Sequence, residues 1–541
     1  MIKVNKANKA RNKIFEFLTI FSMTFGLVVA SGIYLKNRNQ YGGVLYEAQN
    51  NPWLAIMVWI FIGVVCTLMM VSFVEITGAM KDGEHSTLQS WTKKFINRKS
   101  ASWIAIFYVA FYMPAIGALG SMFLIDILFE QGIRLLIIET QGKDQLVIAL
   151  GVPGYLAIKL ILSTILLVGF QVMNATTIKP GRWIQTIFTF VKFLPLIVVV
   201  IGGIVLYATT PNMSNSFNKS GTLVWGASST FATMVPILFA FDAFMYAATL
   251  QKDVEHREVV APALLSAILA VTIFYVLITV AIFLGADDGD IFKLFTNIFS
   301  NKLNAPWVTF IFKVIIAATL LTMINGYTTL IPKTVQSAVE EELLYLGKKN
   351  VGKITIIKAA IIGGTILGAI YITSIIASII ITAKGESQVI FDRTGVGIEK
   401  LYVPNPMEVL DLISSTTAVY AFAIYLVTNI AQVVNRFTNK VEIKKVKGGL
   451  VCGILASGLV SIVMAYLLYA TFIGKPFALD RPKGVSADDW WDNQRSAIIN
   501  GVASILVLVP IFTWWGINEY QLKNMFWIKK QFNKNLRTQR G

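Results

Sequence analysis

Apolar stretches of about 20 residues or more recur along this chain, parted by polar loops, and each is long enough to cross a hydrocarbon core of about 30 Å. That recurrence dictates what the chain can fold into. Inside such a core no water satisfies backbone amides and carbonyls, so each crossing must be a helix rather than an open strand. Twelve spans emerge, at about 14–35, 52–77, 103–128, 154–173, 183–208, 227–251, 262–285, 306–332, 354–383, 408–434, 448–474 and 497–518. The 541 residues are 55% hydrophobic with a mean hydropathy of +0.65, which no soluble domain of this length matches.

The net charge of +17 would suggest nucleic acid in a soluble protein, but here its distribution decides. With an even number of spans, both termini lie on one side. Segments on that side carry 29 Lys and Arg, and the opposite loops carry 14. The positive-inside rule then expects both termini in the cytoplasm of a multi-pass cell-membrane protein, with no nucleic-acid partner. The N-terminal MIKVNKANKARNK is read as a retained basic arm over residues 1–13 rather than a cleaved signal. The basic tail over 519–541 either rests on anionic membrane lipid or is disordered.

Several function classes fall away. No loop is large enough for a soluble catalytic or nucleotide-binding domain. The chain has no GxxxxGK[ST], no HExxH and no GxSxG, and its two histidines, His85 and His256, lie in polar loops and read as solvated. Cys66 and Cys452 sit in apolar runs without metal spacing, so neither a disulfide framework, a metal nor a cofactor is expected. A channel would want rings of like charge or repeated carbonyl filters, and neither is present.

An ionisable residue at membrane depth is expensive and marks a functional site by default. Asp242 lies near the middle of span 6, after Pro236. It reads either as a ligand or as an acid that organises a break in the helix. Lys192 lies about ten residues into span 5, roughly 15 Å along a helix rising 1.5 Å per residue. A lysine so deep is a proton carrier, a fixed substitute for a bound cation, or one half of a permanent salt bridge. Lys159, Lys313 and Lys358 lie near span ends, from which long stems snorkel to water. Glu75, Asp126 and Asp411 read as end anchors, and Trp53, Trp103 and Trp183 as interfacial belts.

Span 1 is also irregular, with Gly26 and then Ala30, Ser31 and Gly32. Alone, that run fits a small-residue packing face as well as an unwound segment. Spans 1 and 6, however, occupy matching places if spans 1–5 and 6–10 are two repeats. Interrupted helices at matching places in two halves point to a midplane site in an inverted-repeat transporter. Freed amides at a half-helix N-terminus favour a carboxylate, and freed carbonyls favour a cation or ammonium, so one site with both suits a zwitterion.

These segments resemble the amino acid–polyamine–organocation (APC) permease superfamily. ASGIY at Ala30–Tyr34 is similar to its first-helix motif, and VLYEAQNNPWLAIMVWIFIG with SFVEITG to its second helix. MNATTIKPGRWIQTIFTFVKFLPL resembles its fifth-helix entry, FAFDAFMYAATLQKDVEHRE its sixth helix, and DLISSTTAVYAFAIYLVTNIAQVVNRF its tenth. The resemblance implies an all-α integral membrane protein of the LeuT-like fold, about 12 transmembrane helices arranged as a five-plus-five inverted repeat plus two extra helices. The repeats would cover 14–208 and 227–434, with 448–518 as the extra pair. It implies a secondary active transporter, not an enzyme, moving amino acids or related amines by alternating access.

Carried over position by position, amides at Ser31, Gly32 and Ile33 would hold the substrate carboxylate, and carbonyls at Phe239, Ala240 and Phe241 its ammonium. Phe241 and Phe244 would gate, and Lys192 would stand where sodium sits in sodium-coupled relatives, making protons the coupling ion. Ala243, Met245 and Asp253–Arg257 depart from the family pattern, and the outer loops at 129–153, 384–407 and 475–496 look long for it. The expected function is proton-coupled symport or exchange of neutral or broadly accepted amino acids. A polyamine or cationic amino acid selected by Asp242 is the alternative. Thr319, Thr322 and Asn325 in span 8 keep sodium coupling open.

Overall fold

The computed structural model describes residues 2–29, 32–38, 42–81, 85–141, 144–177, 179–210, 212–219, 225–242, 244, 256, 259–382, 389–391, 397–400, 404–470, 473, 498, 501–502, 504–505 and 507–525. The chain runs α1 (Ile2–Val28), α2 (Gly32–Lys36), α3 (Pro52–Gly78), α4 (Leu88–Phe95), α5 (Arg98–Gln141), α6 (Gln145–Thr176) and α7 (Lys179–Val191). It continues through α8 (Phe193–Thr209), α9 (Ala227–Phe241), α10 (Val260–Gly285), α11 (Ile291–Phe295), α12 (Pro306–Glu340) and α13 (Ile356–Thr382). The last elements are α14 (Glu408–Thr438), α15 (Gly449–Tyr469) and a helix over 507–525.

Among the described residues, nine helices are long and apolar enough to cross a membrane. The combined α1 and α2, the 15-residue α9, and the 507–525 helix fall where the other three expected spans lie. Local chemistry sets several boundaries. Asn51 caps α3 by accepting the Leu54 amide at 3.1 Å, with Pro52 in the first turn, where its missing N–H costs nothing. Thr87 and Asn97 likewise cap α4 and α5.

The structure departs from the expected boundaries in four places. Helix α1 continues back through the basic arm to Ile2, because Lys, Ala and Arg are good helix formers and no Gly or Pro interrupts them. The expected outer loop at 129–153 is mostly helix. α5 runs 44 residues to Gln141, and α6 begins at Gln145 with a kink at Gly151, whose φ of +66° only glycine adopts freely, ahead of Pro153. The expected loop at 384–407 carries a short hairpin, β1 (Val389–Phe391) antiparallel to β2 (Gly397–Lys400), the one departure from an all-helical chain among the described residues. Span 5 is two helices, α7 and α8, meeting at Lys192, because Pro195 cannot donate to the carbonyl four residues before it. The expected loop at 475–496 lies outside the described residues.

Helix α10 packs on α1, α3 and α8, while α12 packs on α5, α7 and α13. Of the spanning helices α5 is the innermost, with 94% of its apolar window buried against 28% for α13. The lipid-facing helices expose Ile, Val and Leu, as a bilayer allows.

Candidate functional site

Two helices stop inside the bundle. Helix α1 makes its last turn with the Val29 amide on the Phe25 carbonyl, and the chain resumes as α2 at Gly32. Helix α9 ends when Asp242 swings to ψ 165°, leaving a helix that rises only about 22 Å, short of a bilayer. The two breaks touch. A Cβ at Gly32 would lie 2.3 Å from the Ala240 Cα, so residue 32 must be glycine for the backbones to meet. Ile33 and Phe241 are fully buried, and Phe239 and Ala240 nearly so. Ser31, Ala243, Met245 and Asp253–Glu255 lie outside the described residues.

A helix end leaves its last carbonyls without intrahelical donors. At this junction Tyr275 of α10 supplies one. Its hydroxyl lies 2.8 Å from the Val28 carbonyl and 3.0 Å from the Ala240 carbonyl, reaching both breaks. Its ring packs edge-on against Phe241 at 5.3 Å and Trp59 at 4.9 Å. Phe244 lies on another side, among Phe73, Phe422 and Tyr425. The two expected gating rings therefore face different neighbours.

Asp242 sits among phenols. Tyr112 donates to one carboxylate oxygen at 2.5 Å and Tyr425 to the other at 3.0 Å. The Tyr108 hydroxyl stands 3.4 Å from that of Tyr425, and its ring is 4.5 Å from that of Tyr112. Tyr108 and Tyr112 bound a π-helical turn in α5, a wider turn that is frequent at functional sites. Bonds from phenols to a carboxylate are short and strong. They fix the acid that ends α9. The sequence reading missed these tyrosines, and the only local signal was a pair four residues apart inside an apolar span.

Lys192 is fully buried, with its ammonium 2.7 Å from the Gly26 carbonyl, 3.1 Å from the Val29 carbonyl and 3.2 Å from the Thr322 hydroxyl. Two carbonyls and a hydroxyl form an oxygen cradle for a cation. It holds the α7–α8 junction, the helix-1 break and α12 together. Among the described residues no carboxylate pairs with Lys192, so the salt-bridge reading finds no support. Thr319 bonds its own helix backbone at Ile316, and Asn325 bonds the Gly181 carbonyl, so of the three span-8 groups Thr322 reaches the ammonium.

Several charges differ from their expected roles. Lys36, one residue past the expected end of span 1, is 2% exposed and bonds Asp411 at 2.5 Å and Ser415 at 2.9 Å, with its ammonium 5.1 Å from the Phe239 ring centre. This ties α2 and α9 to α14 and makes Asp411 more than an end anchor. Lys159 does not snorkel. It is buried with Asp126 at 2.7 Å and Glu130 at 3.0 Å, and Arg134 bridges Glu130 to Asp144. Lys313 is buried as well, while Lys358 is exposed as expected. Glu75 is fully buried, bonded by Gln432, Arg436 and the Val446 amide, so it is the centre of a network and not an anchor. The histidines are not simply solvated, since His85 lies 2.8 Å from Glu340 and His256 lies 3.0 Å from Glu16. Trp53 and Trp183 are exposed, as interfacial residues are, whereas Trp103 is half-buried and stacks on Phe107.

Residues 15–485 match the family model described as "Amino acid permease". An uncharacterised protein of Mycoplasma pneumoniae is 24% identical over 471 residues, covering 80% of each chain. The crystal structure of MhsT in complex with L-phenylalanine superposes with a TM-score of 0.55 at 14% identity, covering 84% of this chain and 98% of that one. A manganese transporter from Eremococcus coleocola, in complex with an aromatic bis-isothiourea compound, has a TM-score of 0.49 at 14% identity, covering 93% and 96%. The first of these structures shares the fold of this chain, the LeuT-like helical transporter architecture.

Proposed function

The chain belongs to the amino acid permease family, and from that premise we propose that it moves amino acids across the cell membrane by alternating access, as proton-coupled symport or exchange. The observation that carries this reading is the junction of two broken helices with a lysine ammonium seated at one of them. Amides at Ser31, Gly32 and Ile33 hold the substrate carboxylate. Carbonyls at Phe239, Ala240 and Phe241 hold its ammonium, with Phe241 and Phe244 on either side. Because Gly32 and Ala240 touch, the substrate enters only when the two breaks part. Asp242 organises the α9 break through its phenols rather than meeting the substrate first.

Lys192 fills the oxygen cradle that a metal cation would otherwise occupy, so the coupling ion is a proton carried on its amine. The two five-helix repeats cover 14–208 and 227–434, with 448–518 as an added pair and both termini in the cytoplasm. Met245 in place of a second acid in span 6 favours a neutral amino acid over a polyamine or cationic one. Uptake in proteoliposomes under imposed proton or sodium gradients tests the reading. A Lys192→Gln variant should lose concentrative uptake and its pH dependence. Intact, equally pH-dependent uptake refutes the proton role. Inhibition of uptake by putrescine equal to that by ornithine, or by a decarboxylated amine equal to that by its parent amino acid, refutes the carboxylate contact at residues 31–33.

A further inference from the structure

Tyr275 is not among the residues that the helix breaks by themselves point to. It lies on an unbroken helix, α10, and is fully buried. Yet its hydroxyl is within hydrogen-bond distance of one carbonyl from each break, Val28 and Ala240. A phenol carries one proton, so a single donor is shared between two acceptors. Trp59 and Phe241 fix the ring that carries it. The Gly32–Ala240 contact closes the space beside it.

We infer that Tyr275 is a placeholder: in the empty carrier its hydroxyl, shared with the Val28 carbonyl, occupies the Ala240 carbonyl that the substrate ammonium takes in the loaded one. This rests on the permease reading above. Chemistry makes the exchange natural. An ammonium brings three N–H donors and a full charge, so it outcompetes a neutral phenol at carbonyl oxygens. Without substrate, buried carbonyls left bare are costly, and a closed empty state would be disfavoured. The hydroxyl removes that cost. Tyr275 thereby lets the empty carrier close and turn around, a step that net transport needs and exchange does not. It is a positioning residue, acting through the backbone of α1 and α9.

Tyr275→Phe keeps the ring and its packing and removes only the donor. The test compares net uptake into empty proteoliposomes with counter-exchange in preloaded ones, using a radiolabelled mixture of neutral L-amino acids. The ratio of net flux to exchange should fall about tenfold, the effect of leaving a buried hydrogen bond unmade. A structural defect would lower both fluxes together and leave the ratio unchanged, which overturns the inference. A wild type that exchanges but shows no net flux overturns it too. A second readout is the melting temperature of the full chain in detergent without substrate. Tyr275→Phe should lower it by about 1 °C and gain more than wild type from added substrate, since a tenfold effect is about 1.4 kcal/mol and the unfolding entropy grows with chain length, so each kcal/mol shifts a chain this long by only about 1 °C. No loss of stability, or an equal gain, refutes the placeholder. A wild type that moves none of these amino acids in either mode refutes the permease reading itself, and this inference with it.

Discussion

The Lys36–Asp411 pair should hold one face of the carrier shut. Its N–O distance is 2.5 Å, and the side chains are 3% and 23% exposed. Lys36 ends the short helix α2, and Asp411 lies in the first turn of α14, so the bond ties the segment that carries Gly32 to a neighbouring helix and must break for α2 to draw away. At an effective dielectric near 20, two unit charges this close attract by roughly 6–7 kcal/mol before desolvation. Removing one partner from a buried pair costs about 3–5 kcal/mol, because the other charge stays buried and uncompensated. Lys36→Met or Asp411→Leu alone should therefore raise the open population about a hundredfold or more, at 1.4 kcal/mol per factor of ten. Hydrogen exchange reads this directly: amides within Gly32–Lys36 should exchange about a hundredfold faster in either single variant. The double variant removes both charges and should recover part of the loss, giving a coupling of at least about 1 kcal/mol. Strictly additive effects, or unchanged exchange in either single variant, refute the lock.

Other outcomes follow from the same geometry. Gly32→Ala places a methyl 2.3 Å from backbone at Ala240, so the breaks cannot close and transport should fall at least about tenfold while expression persists; normal transport rates refute the close approach. Asp242→Asn keeps the shape but weakens two phenol bonds to a carboxylate, so uptake should slow with substrate selectivity kept; a switch in selectivity makes the acid a direct ligand. Glu75→Ala strands Arg436 and Gln432 in a buried network and should cost about 3–5 kcal/mol, read as a clear fall in melting temperature; a shift below 1 °C refutes the network's weight.

Sequence alone determined the membrane-spanning helices, the two interrupted spans and the depth of Lys192. Each is a local property: apolar length, a glycine run, a proline and an acid in one span, or residues counted from a span end. It also identified the family, since the motifs lie in order along the chain. Helix α5 was only half legible, because Glu130 and Arg134 look like loop residues until Lys159 and Asp144 are seen to neutralise them. Lys159 and Glu75 were misjudged for the same reason: distance from a span end does not reveal a partner.

Only the tertiary structure decided what the breaks contact. Tyr112 and Tyr425 reach Asp242 across 130 and 183 residues of chain, Tyr275 reaches Val28 across 247, and Lys36 reaches Asp411 across 375. A phenol or an ammonium in an apolar run carries no local sign of its acceptor. In a membrane every buried polar group is driven to find one, and packing alone settles which.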